Sequence, residues 1–161
     1  MRMGAGVEWG LHCCLALAWL DGPGADAVPT AKLATLFDLP PVYLKKRLQA
    51  LARAGIVVSE PGARGGFRLA RAPERITLMD VVVANEGADP AFRCDEIRQR
   101  GPLIDPDSPD YQHPCGVATA MRRAELAWRR ELARQTVADL MAEAPRSAPG
   151  RMRTRYANLP D

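Results

Sequence analysis

Four side chains in this 161-residue sequence have the chemistry of metal donors, and they fall into two pairs. Glu8 and His12 stand four residues apart near the start of the chain. On a helix that spacing puts a carboxylate and an imidazole on one face, a turn apart. There they can hold one metal ion, or simply hydrogen-bond to each other. Cys94 and Cys115 bracket a long irregular stretch. A loop closing on itself would bring the two sulfurs together as a metal half-site. The same pair can instead form a regulatory disulfide, or be two unrelated thiols. Cys115 is followed directly by a helix start, whose unpaired N–H groups favour the thiolate. His113, two residues earlier, competes with His12 as a nitrogen donor. Cys13 and Cys14 sit side by side on an apolar helix and read as core.

A second set of residues is cationic. Pro40 to Val58 reads PPVYLKKRLQALARAGIVV. Two prolines open a helix where missing N–H groups cost nothing. Leu44, Leu48 and Leu51 recur at helical spacing and predict one buried stripe. Lys45, Lys46, Gln49 and Arg53 fall on the wet side, and Gly55 supplies the left-handed residue that ends the helix. A helix with one buried stripe and a basic flank suits the major groove of DNA. Tyr43, Lys45 and Lys46 are the candidate base readers. Lys32 and Arg47 are candidates for phosphates.

These residues need elements to position them. The first helix is expected over residues 6 to 20, apolar nearly all round and therefore central. A second helix, AKLATLFDL, follows DGPGADAVP, with Thr30 as its cap and Leu33, Leu36 and Phe37 inward. With the basic helix it makes a helix-turn-helix. After Gly55, IVVSE and FRLARA flank PGARGG and predict a hairpin, with Arg64 at its tip aimed at a minor groove or a phosphate. Thr77, with Asp80 three residues on, opens the helix LMDVVVANEG. The fold class expected is mainly α with a small β-hairpin wing: a winged helix-turn-helix plus a long C-terminal dimerisation helix. The winged helix-turn-helix would take residues 1–88, the cysteine-bearing loop 89–114 and the dimerisation helix 115–143. Residues 144–161, rich in Pro, Arg and Gly, are expected to be a flexible tail. The long helix carries an apolar stripe that one small domain cannot cover, so a second copy is its expected partner.

Composition limits the alternatives. A hydrophobic fraction of 47% excludes disorder throughout. A net charge of +3 means that nucleic-acid binding must rest on local clusters of charge. Four cysteines are few for a secreted disulfide framework and suit a reducing cytoplasm. LHCCLALAWL, with Arg2 before it, is reminiscent of a secretory leader. Glu8 and His12 interrupt that segment, and it is too short to span a membrane, so a buried helix is expected. No Ser/His/Asp set, phosphate-cradling glycine motif or dinucleotide fingerprint is present, which argues against an enzyme.

The lines YLKKRLQALARAGIV, RGGFRL, ITLMDVV and DPAFRCDEIRQRGPL resemble the bacterial iron–sulfur winged-helix regulators typified by IscR and NsrR. The resemblance covers nearly the whole chain, tail excluded. The N-terminal GVEWGLHCC is most similar to a redox-sensing branch of that family from the actinobacteria. The resemblance implies a homodimer on double-stranded DNA with a near-palindromic operator, and a [2Fe–2S] cluster shared across the dimer. Carried residue by residue, it puts Glu8 and His12 of one subunit on one iron, and Cys94 and Cys115 of the other subunit on the second. It also places Val42 and Tyr43 where the family touches bases. The departure is in the loop: IscR and NsrR types carry three closely spaced cysteines there, and this loop has two, far apart. The first-helix donors bring the count to four. Mixed ligation of that kind is chemically reasonable, as Rieske centres show. Trp9, beside Glu8, is a switch candidate or a plain packing residue. The alternative is a cluster-free regulator sensing oxidants through a Cys94/Cys115 thiol switch.

Overall fold

The computed structural model describes residues 3–62, 65–102, 105 and 107–160. They divide into two compact units, Ala88–Glu131 and the chain on either side of it.

The larger unit is the winged helix. Helix α1 (Ala5–Leu20) is buried over most of its circumference, with Cys13, Cys14, Ala16 and Leu17 among its core residues. It packs against α3 (Pro41–Arg53) and α4 (Leu78–Glu86). Helix α2 (Thr30–Phe37) buries Leu33 and Leu36 and stops at Asp38, whose φ of 53° turns the chain into α3. Its cap differs from expectation: Pro29 takes the N-cap position, Thr30 is already helical, and no side chain caps the helix. Leu44, Leu48 and Leu51 of α3 are fully buried, as their spacing predicts. Gly55, at φ 65°, carries the chain out of the helix.

Strand β1 (Val57–Glu60) pairs antiparallel with β2 (Gly66–Leu69), Val57 facing Leu69 and Glu60 facing Gly66. The root of this wing is fastened to the α1–α2 connection. Val28 and Phe67 exchange two backbone hydrogen bonds of 2.9 Å, and Arg68 donates to the Ala25 carbonyl at 2.6 Å. The approach at Val28 is close enough that a Cβ on Gly66 would stand 2.3 Å from its backbone, so a side chain is excluded there. Thr77 and Asp80 form a full capping box at the start of α4.

Two expectations for the C-terminal part change. The long helix is not continuous to residue 143. Helix α5 (Gly116–Arg134) ends, Gln135 and Thr136 run extended, and α6 (Val137–Glu143) starts behind a second capping box, Thr136 with Asp139. The break is held by backbone bonds from Leu78 N–H to the Gln135 carbonyl and from Val137 N–H to the Ile76 carbonyl, both 2.9 Å. Val137 is thereby drawn fully into the core. Nor is the C-terminus a loose tail. Helix α7 (Ala148–Ala157) packs on α1 and α2, with Met152 buried and Tyr156 and Leu159 against the core. Apolar residues four and three apart give this Arg-rich segment an inward face that its composition masks.

The smaller unit, Ala88–Glu131, holds the cysteine loop and most of α5. The loop is irregular apart from two 3₁₀ turns, Ile97–Gln99 and Pro109–Gln112. None of its described residues is buried, and α5 exposes Val117, Met121 and Leu126 by 62%, 42% and 45%.

Candidate nucleic-acid interface and metal centre

The exposed side of α3 carries Val42, Tyr43, Lys45, Lys46, Gln49 and Arg53, as expected. Val42 is 80% and Tyr43 66% exposed. Lys45, Gln49 and Arg53 line a shallow groove shared with Ser59, Gly66 and Phe67, so the basic helix and the wing root form one continuous surface. Lys32 lies in the first turn of α2, its Nζ 5.6 Å from the Tyr156 ring centroid. Arg64, expected at the wing tip, lies outside the described residues.

Arg47 does not join this surface. Its guanidinium turns inward and donates to the Asn85 carbonyl at 3.2 Å. Helix α1 crosses it at Gly6, where a Cβ would meet the Arg47 side chain at 2.7 Å. Arg47 therefore ties α3 to α1 and α4, a role its place among Lys45 and Lys46 conceals.

The two loop cysteines do come together. Cys94, Glu96 and Cys115 place their donor atoms within 4.8 Å of one another. The Cys94 thiol donates to Glu96 Oε1 at 3.6 Å. Glu96 has a left-handed backbone, φ 45°, and this turn brings its carboxylate back over the sulfurs. Arg98 is the clasp. It pairs with Glu96 at 2.6 Å, donates to the carbonyls of Asp110 and His113, and stacks over Tyr111, whose hydroxyl returns a bond to the Arg98 carbonyl. The two ends of the loop are thus joined by one guanidinium. His113 contributes its carbonyl to this clasp, and its imidazole is not among the convergent donors.

The electrostatics follow from these contacts. The Cys115 thiol is held below its ordinary range, first by the N–H of Ala118, then by that of Val117, the Cys94 hydrogen bond and the Arg98 charge. The first turn of α5 thus acts as the anion-stabilising helix start. Cys94 moves the other way. The Glu96 N–H pulls it down, but desolvation and the nearby Cys115 and Glu96 side chains outweigh that pull. Arg98 keeps the Glu96 carboxyl below the usual range. Two sulfurs and one carboxylate within 4.8 Å of one another are a donor set suited to a thiophilic metal.

Glu8 and His12 lie on α1, in the winged-helix unit, both exposed. Among the described residues no hydrogen bond joins them, so the short-range alternative does not consume these donors. The His12 ring packs 5.8 Å from the Phe37 ring, and both donors border an apolar groove with Val7, Leu11 and Leu15. Trp9 is partly buried and packs against the core. Cys13 and Cys14 are fully buried, and desolvation pushes both thiols up to about 12, which removes them from ligand chemistry. Sequence reasoning missed Glu96. Its signal was the acidic pair directly after Cys94, with Glu96 two residues on.

A helix-turn-helix with a hairpin wing, a basic exposed recognition helix and a separate thiol-bearing unit defines a winged-helix DNA-binding protein. Residues 3–143 match the Rrf2 family, described as iron-dependent transcriptional regulator. Protein aau3 of Rhizobium meliloti (strain 1021) is 34% identical over 126 residues, 78% of this chain and 75% of that protein. T. potens IscR has a similar structure, with a TM-score of 0.66 at 22% identity, covering 91% of this chain and 90% of that one. CymR (YrzC), the global cysteine regulator of B. subtilis, superposes with a TM-score of 0.63 at 23% identity, covering 90% and 99%. The last two likenesses show the fold. The chain belongs to the Rrf2 family and is a transcriptional regulator, not an enzyme. Among the described residues no helix is long and apolar enough to cross a membrane.

Proposed function

We propose that this protein is a dimeric, DNA-binding transcription regulator whose operator binding is controlled by a redox-responsive [2Fe–2S] cluster. The observation that carries the reading is the convergence of Cys94 and Cys115, far apart in the sequence, beneath a helix start that favours thiolate. Together with Glu8 and His12 of the other subunit they make the four ligands expected. Such a cluster, when bound, would supply one-electron redox chemistry at a potential raised by the histidine. The protein's own part is to offer the His12 imidazole and a Cys115 thiol held below its ordinary range by the α5 helix start, and to link the first helix of one subunit to the loop of its mate. A change of charge there would alter how the subunits meet, and so the spacing of the two recognition helices.

The exposed stripe of Val117, Met121 and Leu126 on α5 supports pairing of two copies through that helix. Two copies of α3 would then read two half-sites of a near-palindrome. Val42, Tyr43, Lys45 and Lys46 serve the bases, Lys32 a phosphate and Arg64 the minor groove.

Anaerobic purification with a visible spectrum and iron and sulfide counts tests the proposal. Two irons per dimer-shared site in the wild type and background iron in Cys94→Ala and Cys115→Ala are expected. Unchanged iron in both variants would end the cluster reading.

A second reading, a cluster-free regulator with a Cys94/Cys115 thiol switch, is favoured by the same pair of sulfurs, the Cys115 thiol held below its ordinary range and the Cys94 thiol pushed above it. It requires a colourless protein that gains a Cys94–Cys115 disulfide on oxidation.

A further inference from the structure

We infer that α7 is a second DNA-backbone-contacting element, with Arg153 set to meet a phosphate beside Lys32. This rests on the reading of the winged helix as a DNA-binding surface and extends it. The family match ends at residue 143, so α7 lies outside what that match accounts for.

Three observations carry the inference. First, residues 144 to 160 contain Arg146, Arg151, Arg153 and Arg155 and no acidic residue. Second, the helix is fastened to the helix-turn-helix itself. Met152 is 8% exposed, and Tyr156 and Leu159 pack on the core. Arg155 donates to the Leu36 carbonyl in the last turn of α2, an acceptor with no partner inside the helix. Third, the contact between Lys32 and the Tyr156 ring shows which flank of α7 faces the first turn of α2.

Helical geometry then separates the arginines. Residues advance about 100° each around the axis. With Met152 inward, Arg153 and Tyr156 fall on one flank, and Arg151 and Arg155 on the other. Arg153, exposed and one turn before Tyr156, therefore lies on the flank shared with Lys32. Thr30, at the start of α2, lines the same groove as Lys45 and Gln49, so Lys32 and Arg153 would extend the basic surface of the recognition helix. A polyanion that runs past the first turn of α2 fits it, and duplex DNA seated on α3 is such a polyanion.

The test uses the full-length protein and the duplex that the wild type enriches from a random pool. Binding is followed by fluorescence anisotropy at several salt concentrations. Arg153→Gln is expected to weaken binding about fivefold at 0.1 M salt and to lower the slope of log K against log salt by about 0.9. Arg151→Gln, on the opposite flank, is expected to leave the slope unchanged, and Arg153→Lys to restore it. Thermal melts matching the wild type are expected for each exposed substitution. An Arg153→Gln slope equal to wild type overturns the inference, and so does an Arg151→Gln loss as large as that of Arg153→Gln. If the wild type enriches no duplex, the DNA-binding reading itself falls and this inference with it. If the wild type binds and Arg153→Gln binds identically, only the role of α7 falls.

Discussion

The winged-helix unit and the Ala88–Glu131 unit are built on opposite principles. The first gathers all of the described buried apolar side chains, from Val7 of α1 to Met152 of α7. The second buries none, yet it holds a loop closed by one arginine and a helix with an exposed apolar stripe. Ordering a residue costs about 1–2 kcal/mol of backbone entropy, and without burial little offsets that cost. The winged helix can stand on its own core. The cysteine unit carries groups that would suit a cross-link or a partner surface: two convergent sulfurs and an exposed apolar stripe on α5. A segment whose order depends on what it binds is well suited to report binding.

Substitutions, labelling and melting would sharpen or break this contrast. Leu48→Ala, in the fully buried stripe of α3, should cost about 3 kcal/mol by urea denaturation. Leu126→Ala, on the exposed stripe of α5, should leave protomer stability within about 0.5 kcal/mol while weakening the dimer in sedimentation experiments. A reversal of that order would mean that α5 has a core of its own. Next, Lys45→Ala combined with Lys46→Ala should lower the affinity for the selected duplex at least tenfold and relax its base preference, with unchanged melting.

A smaller effect is expected at the break between α5 and α6. Thr136→Ala removes the cap of α6 and should cost about 1 kcal/mol, read from the same denaturation curves. The smallest effects concern the thiols. In metal-free protein at neutral pH, iodoacetamide should label Cys115 first, then Cys94, by mass spectrometry, and leave Cys13 and Cys14 untouched until unfolding. The last pair also sets an alkaline limit. Their folded pKa of about 12 lies above the ordinary thiol value of 9.0, so the native state retains protons that the unfolded state loses. Their contribution is complete below pH 9 and declines as pH rises towards 12, so the melting temperature should fall over that range. A flat profile there would mean that the two thiols are not desolvated.

Much of the winged helix was legible because its signals are local. The leucine spacing of α3, the Thr77–Asp80 cap and the glycine-rich turn each act over a few residues. The break before α6 was legible in principle, since Thr136 and Asp139 repeat the Thr77–Asp80 pattern. It was hidden by an apolar periodicity that runs on through it. The packing of α7 was hidden by composition, because three well-spaced apolar residues are outnumbered by Arg, Pro and Gly.

By itself the sequence determined the order of helices and hairpin, the buried stripe and basic face of α3, and the types and spacing of four candidate donors. These depend on periodicity, capping and side-chain chemistry, which act at short range along the chain. Only the tertiary structure decided that Arg47 turns inward, that Glu96 and Arg98 close the loop over both sulfurs, and that α7 fastens to α2. Such contacts join residues distant in the chain, or turn a side chain away from its neighbours, and they form only once packing has set what lies beside each element.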